Sequence, residues 1–102
     1  MNIFTITLIN SAVKDAISTK DSFRCIGFYY QELDAVTAVE TNKGEMHECL
    51  YNYLVIEEIP DGVWRSTISE KWYEWSYRQK WEQCQKPAQY RQVCNISGFG
   101  IG

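Results

Sequence analysis

One histidine, His47, and four cysteines, Cys25, Cys49, Cys84 and Cys94, are the side chains of this 102-residue chain best suited to nucleophilic or metal chemistry. A zinc site draws its ligands into a tetrahedron, usually with one close pair on a turn. Here no two cysteines are closer than ten positions and there is no CxxC pair. His47 and Cys49 share a face only if their segment is extended. The spacing therefore predicts no metal, and four structural thiols of a reducing compartment. No Ser-His-acid or Cys-His sequence context surrounds His47, so a partly exposed residue near a helix end is expected there.

The carboxylates give the same answer. Glu57 and Glu58 are neighbours on a strand and point to opposite faces, which rules out a dyad between them. The expected arrangement is one facing solvent and the other paired across strands with Lys71 or Arg65. No GxxxxGK[ST] or strand-linked GxGxxG is present, and the terminal GFGIG is followed by no helix that could aim amides at a phosphate. Neither an enzyme nor a cofactor is predicted.

What stands out instead is aromatic. Residues 71–81, KWYEWSYRQKW, hold five of the fifteen aromatic residues and three of the four tryptophans. Aromatic rings interleaved with Arg78, Lys80 and Arg91 could stack a base while an arginine meets its phosphate. Glu70, Glu74 and Glu82 sit among them and oppose a long polyanion, as does the net charge of −3. A compact ligand or a protein surface is favoured over a nucleic-acid strand. The candidate binding residues are Trp72, Tyr73, Trp75, Arg78, Trp81 and Arg91, and the competing role for their rings is to fill a small core.

These residues need a scaffold, and 102 residues with 45% apolar composition suffice for one domain. Residues 2–9 are β-branched with apolar side chains on both faces, which suits a central strand. Residues 23–30, FRCIGFYY, form a second, with Gly27 marking a bulge or a close backbone approach; the two pair antiparallel. Residues 31–41 change period, with Leu33, Ala35, Val36, Ala38 and Val39 on one side, and predict an amphipathic helix closed by Asn42 or Gly44. One short turn is expected over 45–50, then a third strand over 51–59 closed by Pro60-Asp61-Gly62. Residues 72–77 and 81–85 make a hairpin around 77–80. A short helix over 88–93 follows Pro87, and 95–102 is a glycine-rich tail. The predicted fold is a single α+β domain of β-β-α-β-β-β order, a mostly antiparallel sheet of four to five strands with one main helix on one face. The apolar opening IFTITLI is too short and too rich in threonine for a signal peptide or a membrane span, which predicts a cytoplasmic protein with no membrane association.

The segments YNYLVIEE at 51–58, WYEW at 72–75, Lys86-Pro87 and the terminal VCNISGFGIG resemble a family of small uncharacterised proteins of phages, prophages and bacteria. That family shares a Y-x-Y-x-V-I-E-E strand, a W-Y-x-W hairpin and a glycine-rich N…FGIG ending. The resemblance covers about residues 23–102, and this chain departs from it where Ile96-Ser97 separates Asn95 from the final glycine-rich run. It implies the fold just described and a mobile-element setting, in which small proteins often inhibit host processes such as antiviral defence. The expected function is accordingly a non-enzymatic binding protein that blocks a host protein through the Trp-rich surface. The alternative is a nucleotide-binding sponge that sequesters a defence signalling molecule. Aromatic residues on both faces of one strand also predict a homodimer that hides the surplus apolar area.

Overall fold

A computed structural model of the chain describes residues 2–12, 20–43, 51–60, 67–91 and 96. Five strands, β1 (Asn2–Asn10), β2 (Ser22–Tyr29), β3 (Tyr53–Pro60), β4 (Ser69–Trp75) and β5 (Trp81–Cys84), form one sheet in the order β2-β1-β3-β4-β5. Every neighbouring pair is antiparallel. One helix, α1 (Glu32–Glu40), lies between β2 and β3 in the chain. This is the expected α+β domain with its β-β-α-β-β-β order.

The inner strands are those whose side chains are apolar on both faces. From Thr5 to Ile9, β1 is buried without interruption, and so is β3 from Leu54 to Glu57. The bulge predicted at Gly27 is present: Ile6 pairs with Gly27 and Thr7 with Cys25, which leaves Ile26 as the extra residue. A Cβ built on Gly27 would meet nothing within 4 Å. The glycine therefore serves the bulge, where its φ is 159°, and not a close approach of another chain segment.

α1 is seated on the sheet by Ala35, Ala38 and Val39, whose small side chains let the helix lie close above Ile6, Leu8, Leu54, Ile56, Tyr73 and Trp81. Leu33 does not join them. It is two residues before Ala35, about 200° around the helix, and it is 74% exposed. At the N-terminus Gln31 makes no side-chain cap, and Glu32 and Asp34 face the positive end of the helix dipole instead. At the C-terminus Asn42, with φ of 48°, takes the left-handed position. Its amide donates to Val39 O at 3.0 Å and that of Lys43 to Ala38 O at 2.8 Å, the paired bonds of a Schellman ending.

The opposite face of the sheet has its own core, made of Ile9, Val55, Trp72 and Tyr90 with Tyr53, Cys84 and Ile96 around it. Tyr90 ends a 3-10 turn, Ala88–Tyr90, that begins directly after Pro87. The sheet is therefore covered on both sides, by α1 and by the C-terminal segment. The helix expected over 88–93 is this shorter turn as far as it is described. The turn over 45–50 and, apart from Ile96, the glycine-rich tail lie outside the described residues, as do His47, Cys49, Cys94 and Arg65. No helix among the described residues is long and apolar enough to cross a membrane.

Candidate functional site

The Trp-rich hairpin closes through Trp75 opposite Trp81. Its turn is one residue wider than 77–80: Ser76 N–H donates to Lys80 O and Gln79 N–H to Ser76 O, both at 3.0 Å. Gln79 takes the left-handed conformation, with φ of 59°, and Ser76 Oγ accepts from Arg78 N–H at 3.2 Å. The serine side chain thus steadies a turn that has no glycine.

Alternation along β4 sends its rings to opposite sides. Tyr73 is buried under α1, together with Trp81 from β5. Trp75 is half-buried on that face, its ring edge-to-face with Trp81 at a centroid distance of 5.2 Å. The Tyr73 hydroxyl is held neutral above its ordinary range, by burial first and then by the charges of Glu40 and Glu32. Trp72 faces the other way and lies under Tyr90, the two rings stacked 5.8 Å apart and 11° from parallel. Phe23 and Tyr53 meet Tyr90 edge-on, at 5.9 and 6.4 Å.

The polar handles of this nest are satisfied. Trp72 Nε1 donates to Glu70 Oε1 at 2.9 Å. Lys86 Nζ lies 3.0 Å from the same carboxylate and 5.9 Å from the centre of the indole ring. The Tyr90 hydroxyl donates to Asp21 at 3.0 Å. Burial is the main cause of a pKa pushed up to about 12 there, with the Ser11 hydrogen bond acting in the opposite direction and the Asp21 hydrogen bond and charge adding to the rise. Tyr90 is thus a neutral donor, locked down at both its ring and its hydroxyl.

The six candidate binding residues consequently separate. Trp72, Tyr73 and Trp81 are core residues, each 3% exposed or less. Trp75 is half-buried, and Arg78 and Arg91 are exposed on different elements, Arg78 in the hairpin turn and Arg91 just past Tyr90. A stacking platform built on two tryptophans is therefore not on the surface. Its rim is, since Tyr77 is 89% exposed with the Arg78 guanidinium 5.7 Å from its ring centre. Arg78 and Lys80 both approach Glu82, at 3.8 and 3.9 Å.

Glu57 and Glu58 do point to opposite faces, Glu57 into the interior and Glu58 half-buried at the surface. Glu57 is fully buried and accepts from the Thr67 hydroxyl at 3.0 Å and from Ile96 N–H at 2.9 Å. Glu58 accepts from Asn2 Nδ2 at 2.7 Å and the Ser69 hydroxyl at 2.9 Å. Lys71, expected to pair with one of them, instead reaches Glu32 on α1 at 3.3 Å. Sequence reasoning missed Tyr90, and it missed that Glu70 is cross-strand partner to Glu57. Only the register of β3 against β4 carries that second signal. Of the thiols, Cys25 and Cys84 are described, and burial followed by the charge of Glu74 raises Cys84 to about 11, so it is a packed, unreactive thiol. A shallow cleft of about 200 Å³ beside α1, lined by Tyr29, Asp34, Thr37, Ala38, Thr41 and Lys43, offers no aromatic cradle of the kind the hairpin suggested.

Compared with known proteins, the chain matches no protein family, no curated sequence and no solved structure.

Proposed function

We propose that the protein is a non-enzymatic binding protein of phage or mobile-element origin, acting in the host cytoplasm by blocking a host protein. The contact is made by the rim of the Trp-rich hairpin, with Tyr77 at its centre and Trp75, Arg78 and Lys80 around it. The observation that carries this reading is the exposure of Tyr77 beside a guanidinium. A tyrosine left 89% in water at the tip of a well-packed hairpin adds nothing to the core, and Tyr and Arg are residue types that anchor protein interfaces. The mobile-element setting rests on the motifs shared with the phage and prophage proteins.

The double variant Tyr77→Ala/Arg78→Glu is expected to fold as the parent does and to lose at least about tenfold in affinity for a host protein captured by the parent chain, as removal of an interface hot spot does. Capture from host lysate, followed by titration of the recovered protein against both chains, reads this directly. Equal affinity for the two chains would place recognition elsewhere. A small anionic molecule in the eluate, with no protein, would favour the nucleotide sponge.

A further inference from the structure

The sheet has two edges, and they are built differently. β5 is four residues long and carries Glu82 beside Arg78 and Lys80, the kind of short, charged edge that discourages strand pairing. β2 is eight residues long, has no proline, and carries a single formal charge, Arg24. Three large apolar side chains along it are part-exposed: Phe23 at 43%, Ile26 at 39% and Phe28 at 44%. Tyr30 and Leu33, both exposed, continue the band beyond the strand. Among the described residues no strand pairs with the outer side of β2.

We infer that β2 is the interface of a homodimer in which two copies pair edge to edge, antiparallel, about a two-fold axis between Cys25 and Ile26, giving one continuous ten-stranded sheet. The sequence of β2 is self-complementary in that register. Phe23 of one copy falls opposite Phe28 of the second, Cys25 opposite Ile26, Arg24 opposite Gly27 and Ser22 opposite Tyr29, so Phe23, Ile26 and Phe28 each meet an apolar residue and no like charges face each other. The diagonal neighbour of Arg24 is Tyr29 of the second copy. Tyr29 shares its cleft with Asp34, so a cation of one copy approaches the acidic first turn of α1 on the other. The bulge at Ile26 sits on the axis, where it leaves residues 22–25 and 27–29 as two regular arms that exchange partners. Pairing of β2 with β5 would be heterologous and would run on into an open fibre, whereas β2 with β2 closes after two copies. This pairing does not depend on what the hairpin rim binds, since the rim lies at the far edge of the sheet.

Sedimentation velocity over a range of concentrations tests it. The parent chain is expected to sediment as two copies at micromolar concentration. Phe28→Asp and Ile26→Asp, each placing a charge at the joined edges, are expected to raise the dimer dissociation constant about a hundredfold or more. Gln83→Lys, on the β5 edge, is expected to leave it unchanged. A parent chain that sediments as one copy would overturn the inference and leave the edge to a strand of another protein. So would a dimer that survives either folded aspartate variant, or one dissolved by Gln83→Lys. Hydrogen exchange of the parent chain needs no variant: amides of residues 22–29 are expected to be more protected at high concentration than at low. Protection that does not change with concentration would also overturn it.

Discussion

Trp72→Ala is expected to destabilise the protein by about 3–5 kcal/mol, the range for removing a large aromatic side chain from a packed interior. Three losses combine in that figure. The indole leaves a cavity between Val55 and Tyr90, the stacked ring of Tyr90 loses its partner, and Glu70 loses a hydrogen bond at its buried end. A domain of this size has total stability of about 5–15 kcal/mol, so the variant stands near the edge of folding. Chemical denaturation measures the change. Tyr77→Ala, five residues along the same hairpin, is expected to shift stability by no more than about 0.5 kcal/mol, since its side chain is in solvent. A pair of aromatic truncations in one hairpin thus separates core from rim, provided stability is measured for both.

Glu57→Leu is expected to cost about 2–5 kcal/mol even though leucine is apolar and similar in size. The carboxylate ties two chain segments to the middle of the sheet, through the Thr67 hydroxyl and the Ile96 amide. Leucine removes the one oxygen on which both donors converge, and each hydrogen bond lost in this part-buried setting costs about 1–3 kcal/mol. Both donors converge on the same oxygen, Oε2, and Glu57→Gln retains one carbonyl oxygen that can take that place, so its loss should be the smaller of the two. Urea titration of the three proteins checks the order. A glutamine variant no more stable than the leucine variant would mean that neither donor depends on this side chain.

The sheet was legible because its signals are local. Ile3, Thr5, Thr7 and Ile9 alternate with Phe4, Ile6 and Leu8, and a strand apolar on both faces has to be central. The helix was legible from Ala35, Ala38 and Val39, and its ending from Asn42. Leu33 was misplaced because hydrophobicity alone assigned it to the buried face, whereas its angle to Ala35 assigns it to solvent. The second core could not be read. Tyr90 sits in the polar run AQYRQ, which has no period, and only the fold brings it down on Trp72. The same gap misdirected the site. Aromatic residues on both faces of β4 suggested a partner for one face, while the chain covers that face with its own C-terminal segment. A cationic partner, Lys71 or Arg65, was expected for one of Glu57 and Glu58 for a similar reason, because the acceptor role of Glu57 depends on residues ten and thirty-nine positions away.

The chain itself covers both faces of β4, so that Trp72, Tyr73 and Trp81 are core side chains while Tyr77 stands in solvent. Nuclear Overhauser contacts between the Tyr90 ring and the Trp72 indole test this most directly, because the stacked geometry places the rings 5.8 Å apart. Strong cross-peaks are expected in the isolated protein with no ligand or partner added. Their absence in the folded chain, with the Trp72 indole open to a soluble quencher, would show that this face is bare and would return the tryptophan to the binding surface.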